Sequence, residues 1–308
     1  MVPFNKPFIS YTDQINQLKY RGLIIDNDNK AEHILQNIGY FRLSGYWYPF
    51  LETPKNQHKF KRGSNFDTAF KLYCFDNELR KIVFSEIIKI EIAVRTKMVH
   101  TLAEKYNPFW HMNYALFNKA AIHDEIIDYF KEIYNKSDEQ FIKSFKKNYT
   151  DPIPPSWMML EISSFGKLSR MYSNLKSIPE KRHIANYFGL DENVFASWLH
   201  ALVYTRNICA HNTRLWNRIM GISPQIPQST HHSWIKTTDA FNTILKKNIS
   251  INNRVYFILS IIRYLLLTIN PQSTFNTTIQ DILKKYPMVD KRAMGFPDTW
   301  QEEELWEI

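Results

Sequence analysis

Apolar residues recur at spacings of three and four positions along most of the 308-residue chain, which is the pattern of helices that bury one face. Only eight glycines interrupt this pattern, and no convincing strand is visible. The segment from Phe66 to Lys105 holds neither Gly nor Pro and predicts one long helix or two nearly collinear helices. Shorter helices are predicted at residues 12–18, 28–38, 122–134, 139–148, 157–175, 180–188, 238–247, 253–269 and 277–285, and Asp191 is expected to cap another.

The predicted helices divide into a small N-terminal module, residues 1–60, and a larger part, residues 61–308. A segment with Pro54, Lys55 and Asn56 lies just before this boundary and is typical of a linker. No repeat of fixed period is visible in the sequence, which argues against a solenoid. The expected fold class is therefore all-α, a helical bundle with a small N-terminal helical module and additional C-terminal helices.

The composition favours a cytoplasmic protein that does not enter the membrane. The two cysteines, Cys74 and Cys209, argue against a disulfide framework and against a zinc site made of thiolates. The N-terminus lacks the apolar core of a signal peptide. The most apolar run, residues 255–269, is short for a membrane span and carries Arg263, so we expect a buried helix there.

The net charge of +9 fits a partner that bears phosphates. Aromatic residues make up 15% of the chain, and several of them surround Arg42 in residues 39–50. Aromatic side chains near basic ones can stack on unpaired bases. The alternative is that these rings fill the joint between helices, and the sequence favours this packing role for most of them.

Residues 204–218 hold the strongest candidate site of the chain. Arg206 and His211 lie five positions apart in an otherwise apolar helical run. Arginine carries a permanent positive charge that can hold a phosphate, and histidine titrates near neutral pH and can move a proton. Together the two side chains could perform chemistry on a phosphate without a metal ion.

The side chains around this pair separate into two groups if the helix continues through the segment. Arg206 falls on the same side as Leu199 and Leu202, so its charge must be paired, hydrogen-bonded or directed into an interface. The second group is polar and basic and suits a groove for a phosphate backbone. It consists of Asn207, His211, Arg214 and Arg218.

Two pairs of charged residues on the long helix could support this site. Asp76 with Arg80 and Glu91 with Arg95 are each spaced i, i+4 on a flank that also includes apolar residues. This mixture predicts a partly buried polar network. Structural roles are favoured for Asp76, Arg80 and Arg95, whereas the Glu91 carboxylate could orient the arginine or the histidine of the motif.

No other motif competes with this segment. The sequence lacks a Gly-rich phosphate loop, a His-Glu-x-x-His zinc motif and a Gly-x-Ser-x-Gly nucleophile turn. His231 and His232 have no acidic or thiol neighbour in sequence and are assigned to the surface, and His111, His123 and His183 stand alone. We therefore expect no metal site and no cofactor.

Residues 206–218, Arg-Asn-Ile-Cys-Ala-His-Asn-Thr-Arg-Leu-Trp-Asn-Arg, resemble the Arg-x4-His signature of HEPN domains, many of which are metal-independent ribonucleases. With their flanks they resemble the Abi-like (AbiD/AbiF-type) abortive-infection family of bacterial phage-defence proteins. Further segments that carry this resemblance follow in order along the chain, at residues 6–11, 39–46 (Gly-Tyr-Phe-Arg-Leu-Ser-Gly-Tyr), 75–80, 90–95, 155–157, 164–169 and 294–297 (Met-Gly-Phe-Pro).

The resemblance implies a HEPN-like helical bundle and a toxin-like endoribonuclease of antiviral defence, in which a ribose 2′-hydroxyl attacks the adjacent phosphate. It implies that His211 is the acid or base, that Arg206 and Asn207 complete the catalytic group, and that Arg214 and Arg218 bind RNA. HEPN ribonucleases usually join two motifs across a dimer, which implies a homodimer. Some AbiF-type relatives are associated with a small noncoding RNA, which makes an RNA regulator a conceivable partner besides the RNA substrate.

Two alternatives stay open. A non-catalytic HEPN scaffold in a defence or toxin–antitoxin-like system would bind RNA or a nucleotide without cleaving it. A protein-interaction module whose basic face only aids solubility would show no salt-sensitive RNA binding.

Overall fold

The structure is a computed structural model that describes residues 3, 5, 7–242 and 247–307. The α-helices of the described residues are α1 (Tyr11–Tyr20), α2 (Asp28–Ile38), α3 (Tyr40–Trp47), α4 (Phe66–Lys105), α5 (Ala120–Lys136), α6 (Gln140–Asn148), α7 (Ser156–Met159), α8 (Phe165–Asn174), α9 (Pro179–Tyr187), α10 (Glu192–Ala210), α11 (Val255–Ile269) and α12 (Phe275–Lys285). Two short strands, β1 (Asp239–Asn242) and β2 (Lys247–Ser250), pair antiparallel. The expected all-α class is confirmed, and the segment Phe66–Lys105 is a single helix.

Two of the predicted helices are wrong. The helix expected at residues 157–175 is divided into α7 and α8, because the hydroxyl of Ser164 accepts a hydrogen bond from the N–H of Lys167 and starts a new helix. Residues 238–247 do not form a helix either, since 239–242 and 247 belong to the two strands; residues 243–246 lie outside the described residues. The expectation that the chain has no strand is therefore wrong at this place.

The first of two compact units comprises Met1–Leu79 and Gln280–Asp290. Side-chain caps start its first two helices: the Ser10 hydroxyl accepts from the N–H of Asp13 at 3.1 Å before α1, and Asn27 caps α2. Gly39, with φ at 86°, allows the chain to turn from α2 directly into α3. The core of the unit includes Leu18, Leu35, Leu43, Trp47, Leu72 and Phe75. The domain boundary that the sequence predicts between residues 60 and 61 stays a prediction.

The second unit comprises Arg80–Ile279 and Lys291–Ile308. Helix α10 packs against α8, α9 and α11, and α11 is buried over most of its length, as the apolar run at 255–269 predicts. The acidic segment at residues 301–307 packs into this unit. Its Trp306 is fully buried, and the Trp306 ring stacks on the Tyr256 ring with centres 5.9 Å apart. Within the described ranges, no helix has the length and apolar character needed to cross a membrane.

Candidate active site

The candidate site is carried by α10, whose sequence specifies both its start and its burial. The Asp191 carboxylate accepts a hydrogen bond from the N–H of Asn193 at 2.8 Å and caps the helix, as the sequence predicts. Phe195, Trp198 and Leu202 are fully buried and fix the helix in the core of the second unit. The Arg-x4-His motif lies at the C-terminal end of this anchored helix.

Helix α10 ends at Ala210, earlier than the polar pattern predicts. His211 is the C-cap residue, and Asn212 adopts a left-handed conformation with φ at 53°. The N–H of Thr213 then donates to the carbonyl of Ile208 at 3.0 Å, which closes the helix with a Schellman motif. An Asn at the position after the cap is the one local sequence signal for this ending, because Asn tolerates the left-handed region better than most residues.

The predicted polar stripe is wrong beyond His211, because Arg214 and Arg218 lie in the non-helical segment after α10. Arg218 nevertheless folds back toward the helix. Its Nη1 donates to the carbonyl of Arg214 at 3.1 Å, and its Nη2 donates to the Tyr204 hydroxyl at 3.5 Å. Its guanidinium carbon lies 6.0 Å from the centre of the Tyr204 ring. Tyr204, which the motif does not single out, thus holds Arg218 beside α10.

Arg206 is half-buried and packs against α4. Its guanidinium carbon lies 5.7 Å from the centre of the Phe84 ring, within the range of a cation–π contact. Its Nη1 donates to the side-chain oxygen of Asn207 in a long hydrogen bond of 3.4 Å. Arg206 therefore lies toward the apolar side of α10, as its spacing from Leu199 and Leu202 predicts.

Glu91 on α4 carries a carboxylate on which the charges of Arg95 and Arg206 act. Its carboxylate pairs with Arg95 at 2.7 Å, as the i, i+4 spacing predicts. Burial raises the pKa of Glu91, and the positive charges of Arg95 and Arg206 oppose that rise. Arg95 also donates to the carbonyl of Ser163 at 3.3 Å and lies 3.7 Å from the Glu161 carboxylate. Glu91 is thus a half-buried carboxylate under the influence of two arginines, one of them from the motif.

Asn207 and His211 are exposed to solvent. They are one helical turn apart, and the N–H of His211 donates to the carbonyl of Asn207 at 3.0 Å. The three residues expected to form the catalytic group therefore occupy two environments. Arg206 contacts Asn207 and is held against α4, whereas His211 stands at the end of α10 where a ligand can reach it.

Asp76 and Arg80, the other predicted pair on α4, are both buried. Asp76 belongs to the first unit, where its carboxylate accepts a hydrogen bond from the Tyr46 hydroxyl at 2.7 Å. Arg80 is the first residue of the second unit. Their burial fits the structural role that the sequence favours for them.

Some histidines outside the motif do not lie where the sequence analysis places them. His111 and His123 do not stand alone but are buried together, and the His123 Nε2 lies 2.9 Å from the His111 carbonyl oxygen. His231 is exposed, whereas His232 is half-buried with its Nε2 2.9 Å from the Thr268 hydroxyl. In the part of the chain that the structure describes, no three His, Cys, Asp or Glu side chains are grouped so that they could hold a metal ion.

The model of the family described as Abi-like protein matches the chain over residues 33–217. The match covers more than half of the chain and includes α10 with Arg206 and His211. The chain therefore belongs to the Abi-like protein family. Membership of this family supports a role in bacterial abortive infection, a form of phage defence. Comparisons with curated proteins and with solved structures gave no match.

Proposed function

We propose that this protein is a metal-independent endoribonuclease with a HEPN-like helical bundle, and that it acts in abortive infection by cleaving RNA. The observation that carries the proposal is the pair Arg206 and His211 at the end of α10. Arg206 is held by Phe84 and lies close enough to Glu91 to influence its pKa, while His211 is accessible. A positioned cation and an accessible imidazole are the two groups that this chemistry requires.

In the proposed reaction, a ribose 2′-hydroxyl attacks the adjacent phosphorus and the 5′-oxygen of the next nucleotide leaves. His211 either accepts the proton of the 2′-hydroxyl or donates a proton to the leaving 5′-oxygen, and water exchanges the proton at the other oxygen. Arg206 stabilises the negative charge on the phosphate in the transition state. Asn207, in contact with Arg206, orients the arginine or the scissile group. Arg214 and Arg218 contact the neighbouring phosphates. The products are a 2′,3′-cyclic phosphate and a 5′-hydroxyl.

The proposed active species is a homodimer that brings two copies of the motif together. Residues five positions apart diverge by about 140° around a regular helix. One copy therefore directs Arg206 and His211 to different sides of α10, and a second copy related by a two-fold axis can complete the site. A bound RNA regulator is compatible with this arrangement.

Incubation of the purified protein with total RNA in EDTA, followed by mapping of the new ends, tests this proposal. We expect cleavage to persist in EDTA and to leave 2′,3′-cyclic phosphate and 5′-hydroxyl ends. Loss of all activity on chelation, with recovery on addition of a divalent ion, would contradict the metal-independent mechanism. Salt-sensitive RNA binding without any cleavage would favour the non-catalytic scaffold instead.

A further inference from the structure

The first unit contains a cavity of about 580 Å³ whose lining residues all lie between Pro7 and Phe60. This volume is within the range of small-molecule sites. The lining includes four aromatic residues of α3 and the position directly after it, Tyr40, Phe41, Trp47 and Tyr48, which we call the aromatic wall. Arg21 and His58 contribute basic or titratable groups to the same cavity. The proposed cleavage at α10 uses none of these residues.

Part of the aromatic wall is fixed, and part of it is exposed. The rings of Tyr40 and Trp47 meet edge to face with centres 5.2 Å apart, and the Arg21 Nη1 donates to the Tyr40 hydroxyl at 3.1 Å. Phe41 lies at the rim and is 92% exposed. A phenylalanine so open to water gains little for the fold, and its ring is available for a flat, apolar partner.

The segment around the wall is strongly basic. Residues 39–63 contain five Lys and Arg residues and one acidic residue, Glu52. The Lys55 ammonium lies 5.3 Å from the centre of the Tyr48 ring, and the Lys61 ammonium donates to the Pro49 carbonyl at 3.1 Å. Aromatic rings beside a basic stretch match a ligand that combines a π-face with a negative charge.

We propose that this cavity binds an unpaired nucleotide of a single-stranded RNA. The base stacks on Phe41 at the rim of the aromatic wall, and Arg21 with the lysines of residues 39–63 contacts the phosphates on either side. Stacking accepts any base because each has a π-face, so the site binds without strong sequence preference. The choice of RNA over single-stranded DNA rests on the proposed function, whereas the stacking itself does not.

Fluorescence anisotropy with labelled oligouridylate and oligoadenylate tests the site in the 308-residue chain carrying His211→Ala, so that binding is measured without cleavage. We expect Phe41→Ala to weaken binding about tenfold, as for the loss of one stacked base, and Phe41→Trp to keep it. Tyr114→Ala is the matched control, because Tyr114 is 73% exposed in the second unit, and it is expected to bind like the parent. Lys59 and Arg62 are exposed members of the basic stretch 39–63, and their replacement by Gln is expected to make the salt dependence shallower.

Unchanged affinity in Phe41→Ala, an equal loss in Tyr114→Ala, or equal binding of duplex RNA would overturn the proposal. Full competition by a free mononucleotide would also overturn it in favour of a nucleotide site. If single-stranded DNA of the same sequence binds as tightly as the RNA, the preference for RNA is overturned, and the cavity is a site for single-stranded nucleic acid in general. The outcome is separable from cleavage, because loss of binding in Phe41→Ala stands even if the unmodified chain cuts no RNA.

Discussion

Arg206 and His211 belong to one motif but occupy different environments. Arg206 is half-buried, with Phe84 beneath its guanidinium and with its charge acting on Glu91, whereas His211 is exposed after the last turn of α10. The long side chain of Arg206 contributes packing of its methylene groups as well as its positive charge. The loss of Arg206 should therefore affect both stability and chemistry, and the loss of His211 should affect chemistry alone.

This difference predicts unequal stability of two variants. Arg206→Ala is expected to lower the free energy of unfolding by about 1 kcal/mol, since it removes the contact with Phe84 and one of the charges that offset the burial of Glu91. His211→Ala is expected to change it by less than about 0.5 kcal/mol. Urea unfolding followed by circular dichroism measures both values. Equal losses would contradict the positions assigned to the two side chains.

His111 provides a prediction about pH. The side chain is fully buried, and burial, together with the nearby His123, lowers its pKa from 6.5 to about 4. The folded chain disfavours the protonated His111 ring. The contribution of this residue to the free energy of unfolding is therefore complete above pH 6.5 and is lost as the pH falls toward 4. The shift corresponds to about 3 kcal/mol. Urea unfolding from pH 7 to pH 4 should show this fall in the free energy of unfolding of the unmodified chain, and a smaller fall in His111→Phe. The same pH dependence in both proteins would rule out His111 as the cause.

At the scale of elements, α10 depends on a short cap at each end. Asp191 closes the N-terminus with its carboxylate, and the left-handed Asn212 closes the C-terminus directly after His211. The early ending places Arg214 and Arg218 outside the helix, where Tyr204 and a backbone carbonyl position Arg218.

Replacement of the N-terminal cap tests this dependence. Asp191→Ala is expected to lower the free energy of unfolding by about 1 kcal/mol, because it leaves the N–H of Asn193 without its side-chain acceptor. Asp191→Asn keeps an acceptor oxygen and is expected to cost less. Thermal unfolding of the two variants gives the comparison. If Asn were as destabilising as Ala, the hydrogen bond would not be the source of the stability.

Most helices could be predicted because their apolar spacing is local information. The Phe66–Lys105 helix and the Asp191 cap of α10 are examples. The end of α10 was not predicted, because polar residues continue at helical spacing to Arg218 while a single Asn sets the turn. The strands at residues 239–242 and 247–250 depend on pairing with each other, which spacing within one segment does not reveal. The contact of Arg206 with Phe84 joins two distant segments and likewise had no local signal.

At the scale of the whole molecule, the two compact units carry different candidate surfaces. The first holds the cavity with the aromatic wall, and the second holds α10 with Arg206 and His211. The net charge of +9 is compatible with contacts to phosphates at both. The two proposals assign the binding of single-stranded RNA to the first unit and its cleavage to the second.

The composite site predicts that the active protein is a symmetric homodimer. Because one α10 directs Arg206 and His211 to different sides, a single chain should lack a complete site. Sedimentation velocity at the concentration of the cleavage assay is expected to show a dimer. An RNA-cleaving protein that sediments as a monomer under those conditions would exclude this arrangement.

The most direct test of the central claim compares RNA cleavage in EDTA by the unmodified chain, by His211→Ala and by His200→Ala. His200 is the matched control, because it is another exposed histidine on the same helix. We expect His211→Ala to fold normally and to lose cleavage, whereas His200→Ala should cleave like the unmodified chain. Cleavage retained by a well-folded His211→Ala protein would contradict the assignment of the active site to the end of α10.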